Sequence, residues 1–112
     1  MERRRVVVTG LGAINAIGHN VEETWKSIKE GVCGIDEITN YDKELTKVKI
    51  AGEVKNFNAA DYLDKKAVRK MDRFTQFGVI AAKEAFKDAG LKIEEIDADR
   101  FGVVVSSGIG GL

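Results

Sequence analysis

Residues 101–111 read Phe101-Gly102-Val103-Val104-Val105-Ser106-Ser107-Gly108-Ile109-Gly110-Gly111, an apolar segment followed by a glycine-rich one. The apolar part shows no polar alternation, which is typical of a strand inside a parallel sheet that is covered on both faces. Glycines after such a strand suit a loop whose backbone approaches a ligand or another chain closely. A crossover helix normally follows a strand of this kind, so the sequence predicts the front portion of a larger α/β enzyme.

The rest of the chain divides into alternating strand and helix patterns. Asn20 is a good N-cap for the first helix and Gly31 is a good terminator for it. The predicted elements are a strand at 4–8, a helix at 21–30, an edge or half-exposed strand at 48–54, a helical turn at 59–63, a long helix at 65–89 and a strand at 101–105. This β-α-β-α-β order predicts an α/β sandwich with its remaining strands missing.

Composition narrows the class of protein. The 112 residues suffice for one domain, 1–112, without an internal boundary. Eighteen basic and 18 acidic residues balance, so no general attraction to nucleic acid or membranes follows. A single cysteine excludes an internal disulfide, and the apolar run after Arg3-Arg4-Arg5 is too short for a signal segment. A cytoplasmic protein is therefore expected.

The segment after the first predicted strand invites comparison with a dinucleotide-binding loop. Gly10 and Gly12 fit the first two glycines of that motif, but Asn15 stands where the third should be. The following helix also begins too late to place a pyrophosphate at its N-terminus. A structural turn is favoured over a small nucleotide-binding oxidoreductase.

Several separately spaced blocks carry a resemblance that covers the whole chain. They are residues 4–12, Gly18, residues 21–25, 34–35, 51–54, 69–74, 90–91 and 106–112. In these blocks the chain resembles the β-ketoacyl-acyl-carrier-protein synthases, the condensing enzymes of fatty-acid and polyketide synthesis, and among them most closely synthase II.

The resemblance implies a thiolase-like αβαβα sandwich of two similar halves that works as a homodimer in the cytoplasm. It implies an acyltransferase that elongates fatty-acid chains by decarboxylative condensation with malonyl-acyl carrier protein, without an external cofactor. The family's cysteine nucleophile and two histidines would all lie beyond Leu112. The 112-residue chain alone is therefore expected to be inactive, and aggregation-prone or only partly folded.

A basic segment forms the first part of the long helix predicted at 65–89. On a helical wheel its five cations share an arc from which the nearby aspartates are excluded; they are Lys65, Lys66, Arg69, Lys70 and Arg73. The pattern by itself favours a solvated charged face. The resemblance instead implies that Lys66, Arg69 and Lys70 dock the strongly acidic acyl carrier protein.

The terminal glycine-rich segment has two interpretations. By pattern it could form an anion-binding nest, although it lacks the Lys-Ser/Thr continuation of a phosphate loop. The resemblance implies that Ile109 projects into the acyl pocket and acts as a gate that limits chain length. Glycines on both sides would let the backbone shift.

Two isolated reactive side chains are interpreted as structural. Cys33 follows a helix C-terminus, where the dipole opposes thiolate formation, so it is expected to be an inert packing residue. His19 has no partner ligands at suitable spacing, so no metal is expected and His19 is interpreted as a surface turn residue.

Two alternative functions stay open: a non-catalytic chain-length-factor relative and a carrier-protein-binding module without enzymatic activity.

Overall fold

A computed structural model describes residues 1–111 of the chain. Its helices are α1 (Val21–Glu30), α2 (Lys65–Val68) and α3 (Arg73–Asp88). Strands β1 (Asp36–Glu37) and β2 (Ile50–Ala51) pair antiparallel, with Asp36 opposite Ala51 and Glu37 opposite Ile50. Single turns of 3-10 helix lie at Lys43–Leu45, Ala59–Asp61, Ile93–Glu95 and Ala98–Arg100.

Helix α1 confirms the bounds predicted from its capping residues. The Asn20 side chain accepts a hydrogen bond from the Glu23 backbone N–H at 2.8 Å, and the Glu23 carboxylate accepts one from the His19 backbone N–H at 2.7 Å. These bonds satisfy donors that a helix N-terminus leaves free. Gly31 ends the helix at φ +67°, in the left-handed region that glycine adopts without strain.

The long helix predicted at 65–89 is wrong in one respect, because the chain breaks it at residues 69–72. Asp64 caps α2, and a second aspartate, Asp72, stands as the N-cap of α3 with extended backbone. The Gln76 amide stabilises the break by donating to the carbonyl oxygens of Val68 and Met71 at 3.3 and 3.2 Å. Gln76 thus binds two carbonyls at the C-terminal end of α2, of which that of Val68 also accepts the Met71 backbone N–H at 3.2 Å.

The two outer strands predicted at 4–8 and 101–105 are absent among the described residues. Both segments are exposed, and Val104 reaches 97% exposure. A strand exists only when a neighbour receives its backbone hydrogen bonds, and neither segment has such a neighbour in residues 1–111. The strand predicted at 48–54 is confirmed only as Ile50–Ala51, so the β-α-β-α-β order is not confirmed.

Helix α3 organises the segment that precedes α1. The Glu84 carboxylate accepts the backbone N–H groups of Ala13 and Val21 at 3.0 and 2.8 Å, and Asp88 accepts that of Leu11 at 2.9 Å. Gly12 allows this close approach, because a Cβ there would lie 2.8 Å from the Ala81 carbonyl carbon. The predicted turn therefore lies directly on the small-residue face of α3.

The buried core is small. Within residues 1–111, four hydrophobic residues are buried, namely Ile38, Ala59, Leu63 and Ile80. The radius of gyration is 17.2 Å, whereas a compact chain of this length would give about 13 Å. An open apolar groove of about 720 Å³ runs between α3 and residues 103–107. The described residues thus form an extended scaffold with an open apolar groove beside α3.

Candidate functional site

The predicted docking residues lie on α2 and the turn that continues it. Asp64 fixes the start of α2 by accepting the backbone N–H groups of Lys66 and Ala67 at 3.0 and 3.2 Å. Lys66, Arg69 and Lys70 are exposed, and none of them forms a salt bridge with a carboxylate of residues 1–111. Their spacing of three and four residues places them on one side of a helical turn. The structure thus presents three cations together to solvent.

Arg73 differs from the other cations of the predicted basic arc. Its guanidinium carbon lies 5.3 Å from the Phe77 ring centroid and 5.8 Å from that of Phe57, and one nitrogen donates to the Val54 carbonyl at 2.9 Å. The Phe57 ring also stacks on Tyr62 at 5.7 Å. Arg73 therefore holds the start of α3 against the segment after β2, and although it is exposed its guanidinium is already engaged.

The predicted gate residue lies in the turn near the end of the described chain. Ile109 is 79% exposed. Gly110 follows it at φ +84°, and a Cβ built there would lie 3.5 Å from Cζ of Phe74. A Cβ on Gly111 would lie only 2.6 Å from Cγ of Asp72. Leu112, the last residue of the resembling block, lies outside the described residues.

The structure brings these two predicted sites to the same end of α3. The predicted docking cations end at Lys70, two residues before Asp72, and the turn after Ile109 lies beside Asp72 and Phe74. Sequence spacing alone gives no sign of this neighbourhood, because residues 72 and 111 are far apart along the chain. The unusual signal is Asp72 itself, an aspartate in the middle of an otherwise helical pattern.

Cys33 and His19 differ from their predicted environments. Cys33 is exposed rather than packed, and its thiol points to the Ile35 carbonyl oxygen at 3.8 Å. His19 is half-buried rather than a free surface residue: its Nε2 lies 2.6 Å from the Lys55 carbonyl oxygen and its ring meets Phe57 edge-on at 5.8 Å. Neither contact supplies a nucleophile with a base, so both side chains have structural surroundings.

A polar corner surrounds the β1–β2 pair. Lys55 binds Asp36 at 3.0 Å, and this hydrogen bond lowers the pKa of Asp36 below its ordinary value. The Thr39 hydroxyl and the Asn40 backbone N–H similarly lower the pKa of Glu53, since both donate to its carboxylate. Sequence spacing alone does not reveal this corner, because its partners are separated by more than ten residues.

Residues 1–111 contain no group of three histidine, cysteine or acidic side chains that could hold a metal ion. Within the same range, every helix is too short or too polar to cross a bilayer.

Comparison with known proteins identifies relatives along the whole chain. The family model for the beta-ketoacyl synthase N-terminal domain matches residues 3–112. The 3-oxoacyl-acyl-carrier-protein synthase 2 of Staphylococcus aureus strain COL is 54% identical over 99% of this chain and 27% of that protein. The synthase 2 of Synechocystis is 46% identical over 100% of this chain and, again, 27% of its own length.

Solved structures give the same assignment. The ishigamide ketosynthase/chain length factor superposes with a TM-score of 0.74 at 37% identity, over 85% of this chain and 24% of that one. A ketosynthase in complex with its type II polyketide synthase acyl-carrier protein superposes with a TM-score of 0.65 at 29% identity, over 86% of this chain and 25% of that one. The chain therefore spans about a quarter of the length of its relatives. By this match and superposition, the chain belongs to the beta-ketoacyl synthase family and represents its thiolase-like N-terminal domain.

Proposed function

We propose that this chain is the N-terminal portion of a 3-oxoacyl-acyl-carrier-protein synthase 2 that elongates fatty acids. The observation that carries the proposal is the 54% identity to a synthase 2 over nearly the whole chain. The complete enzyme is an acyltransferase that works in the cytoplasm as a homodimer and needs no cofactor.

The reaction has two halves. An acyl group passes from its carrier protein to a cysteine thiolate of the complete enzyme, and the carrier thiol leaves. Malonyl-acyl carrier protein then loses its carboxylate as CO₂, and the resulting carbanion equivalent attacks the acyl-enzyme thioester. This attack releases the cysteine thiolate and gives 3-oxoacyl-acyl carrier protein. The residues of this chain contribute binding and positioning, because the nucleophile belongs to the remainder of the enzyme.

Purified complete enzyme tests this reaction directly. Incubation with acyl- and malonyl-acyl carrier protein should release one CO₂ for each 3-oxoacyl product, and the 112-residue chain alone should release none. Acylation without condensation, or turnover that requires NAD(H), would refute the proposal.

The basic face of α2 is the docking surface for acyl carrier protein in this proposal. Its support is the exposure of Lys66, Arg69 and Lys70 and their lack of salt bridges within residues 1–111. A carboxylate-rich partner helix would find three donors on one side of a turn, at little cost in broken contacts. A related ketosynthase structure contains an acyl-carrier protein, which agrees with this choice of partner.

Charge reversal tests the docking surface. The variant Lys66→Glu/Arg69→Glu/Lys70→Glu should raise the KM for the acyl carrier protein on the order of tenfold at low salt, with kcat nearly unchanged. The difference should shrink in high salt, because exposed charges are screened. The matched control is Lys26→Glu/Lys29→Glu/Lys47→Glu, which changes the net charge equally at exposed lysines elsewhere. An unchanged KM, or an equal rise in the control, would rule out this surface.

Ile109 is the acyl-chain gate in the same proposal. Its exposure leaves the side chain available to line a pocket completed by the rest of the enzyme, and Gly110 supplies backbone freedom beside it. Ile109→Phe should therefore lower kcat/KM for long acyl chains more than for short ones. An identical loss for all chain lengths would argue against a gate.

A chain-length factor is the second candidate function, since one structural relative is a ketosynthase/chain length factor. Such a subunit keeps the fold but lacks the nucleophile. Trapping with a radiolabelled acyl-carrier protein distinguishes the two, because only the synthase forms an acyl-enzyme. A carrier-protein-binding module would bind the same partner and release no CO₂.

A further inference from the structure

Asp72 departs from the usual behaviour of an aspartate at its position. It is the N-cap of α3, with φ −64° and ψ 157°, yet its side chain accepts no hydrogen bond from the first turn. Aspartate is among the best capping residues, and Asp64 of the same chain caps α2 in the ordinary way. The Asp72 carboxylate is exposed and instead lies beside the turn that contains Gly111.

That turn is the one beside Ile109. The Asp72 side chain fills the space over Gly111: a Cβ there would lie 2.6 Å from Cγ of Asp72 and 3.1 Å from its Cβ. The Phe74 ring closes the same turn at Gly110. Gly111 itself has no positive φ, so Asp72, and not the backbone, is what demands glycine there.

We propose that Asp72 is a positioning residue that sets the acyl-chain-length preference. It acts by holding the Gly110–Gly111 turn in place and thereby fixing Ile109. This inference rests on the gate proposed for Ile109, and it adds a residue that touches neither the acyl chain nor the carrier protein.

Asp72→Gly removes the side chain over the turn. Glycine is tolerated at an N-cap at small cost, so the helix should persist. In the complete enzyme, the ratio of kcat/KM for a long acyl-carrier protein to that for a short one should rise on the order of tenfold. Asp72→Asn keeps the volume of the side chain and should retain the wild-type ratio. The KM for the carrier protein should change in neither variant.

Gly111→Ala tests the contact from its other side. With Asp72 present, the added methyl group would lie 2.6 Å from Cγ of Asp72 and 3.1 Å from its Cβ, so the side chain and the turn must shift relative to one another and the chain-length ratio should change on the order of threefold. With Asp72→Gly the obstacle is gone, and the double variant should match Asp72→Gly alone. Gly110→Ala is the comparison variant, because its φ of +84° strains any other residue whatever happens at Asp72.

Two results would overturn this inference. One is a wild-type ratio in Asp72→Gly while Ile109→Phe alters it. The other is additivity of Gly111→Ala and Asp72→Gly, which would show that the two positions do not interact. A lower Tm without a changed ratio would likewise show a purely structural role. Failure of the proposed function is distinguishable, since neither the wild type nor Ile109→Phe would then show chain-length discrimination.

Discussion

Arg73 shows how a single residue can change role between sequence and structure. In the sequence it is one of five cations on a basic arc. In the structure it is the first residue of α3, where the helix dipole disfavours a cation. In the structure its guanidinium lies against Phe57 and Phe77 and donates to Val54. Planar stacking with simultaneous hydrogen bonding is particular to arginine. The basic face is therefore narrower than the sequence indicates.

At the scale of a single residue, Gly12 should be required for stability. Gly12→Ala should lower the free energy of unfolding by about 1–3 kcal/mol, because the new methyl group would press on backbone atoms of α3 that side-chain motion cannot clear. The Cβ would lie 2.8 Å from the Ala81 carbonyl carbon and 2.9 Å from the Ala85 nitrogen. Denaturant titration of the complete enzyme measures this loss.

The matched control is Gly52→Ala. Its new Cβ would meet only the Ala16 methyl group at 3.6 Å, an ordinary van der Waals distance. We expect stability within about 0.5 kcal/mol of the wild type. Equal losses in the two variants would mean that the packing of Gly12 on α3 is not the cause.

At the scale of elements, α3 determines where the other segments lie. Its Ala81 and Ala85 backbone receives the glycine turn, while Glu84 binds the backbone of Ala13 and the first residue of α1. A carboxylate at a helix N-terminus is also favoured by the helix dipole. The sequence predicted a helix over this segment but not the role of its carboxylates. An acidic residue on a helix normally indicates only solvent exposure.

At the scale of elements, the Glu84 carboxylate should stabilise the packing of the segment before α1 on α3. Glu84→Gln replaces one of two acceptor oxygens by an amide that faces another donor, so one backbone N–H loses its partner. We expect a loss of about 1–3 kcal/mol in the free energy of unfolding. Hydrogen exchange should locate the change at the start of α1. Glu94→Gln, at an exposed position without a hydrogen bond among the described residues, should leave both measurements unchanged.

At the scale of the whole molecule, exposed apolar surface dominates. Val6, Val7 and Val8 at one end, and Val103, Val104 and Val105 near the other, are all exposed. The groove between α3 and residues 103–107 opens beside the second set. Patches of this extent normally meet other protein. The relatives are about four times longer than this chain, and their remainder is the expected source of that cover.

The 112-residue chain alone carries the prediction at this scale. We expect it to bind a hydrophobic dye strongly, to associate with itself and to melt over a broad range without a cooperative transition. Dye fluorescence, light scattering and calorimetry check these three properties. A sharp, reversible melt of a monomer would contradict the expectation.

The sequence by itself determined the family, the bounds of α1 and the residues that compose the basic face. These depend on local capping, on charge and on residue blocks, all of which can be recognised without distant contacts. Only the tertiary structure decided the break before α3, the packing of the exposed Arg73 guanidinium against Phe57 and the approach of Asp72 to Gly111. The break depends on side-chain hydrogen bonds that Gln76 donates across the turn. The other two join residues far apart along the chain, and a strand likewise exists only where a distant neighbour accepts its hydrogen bonds.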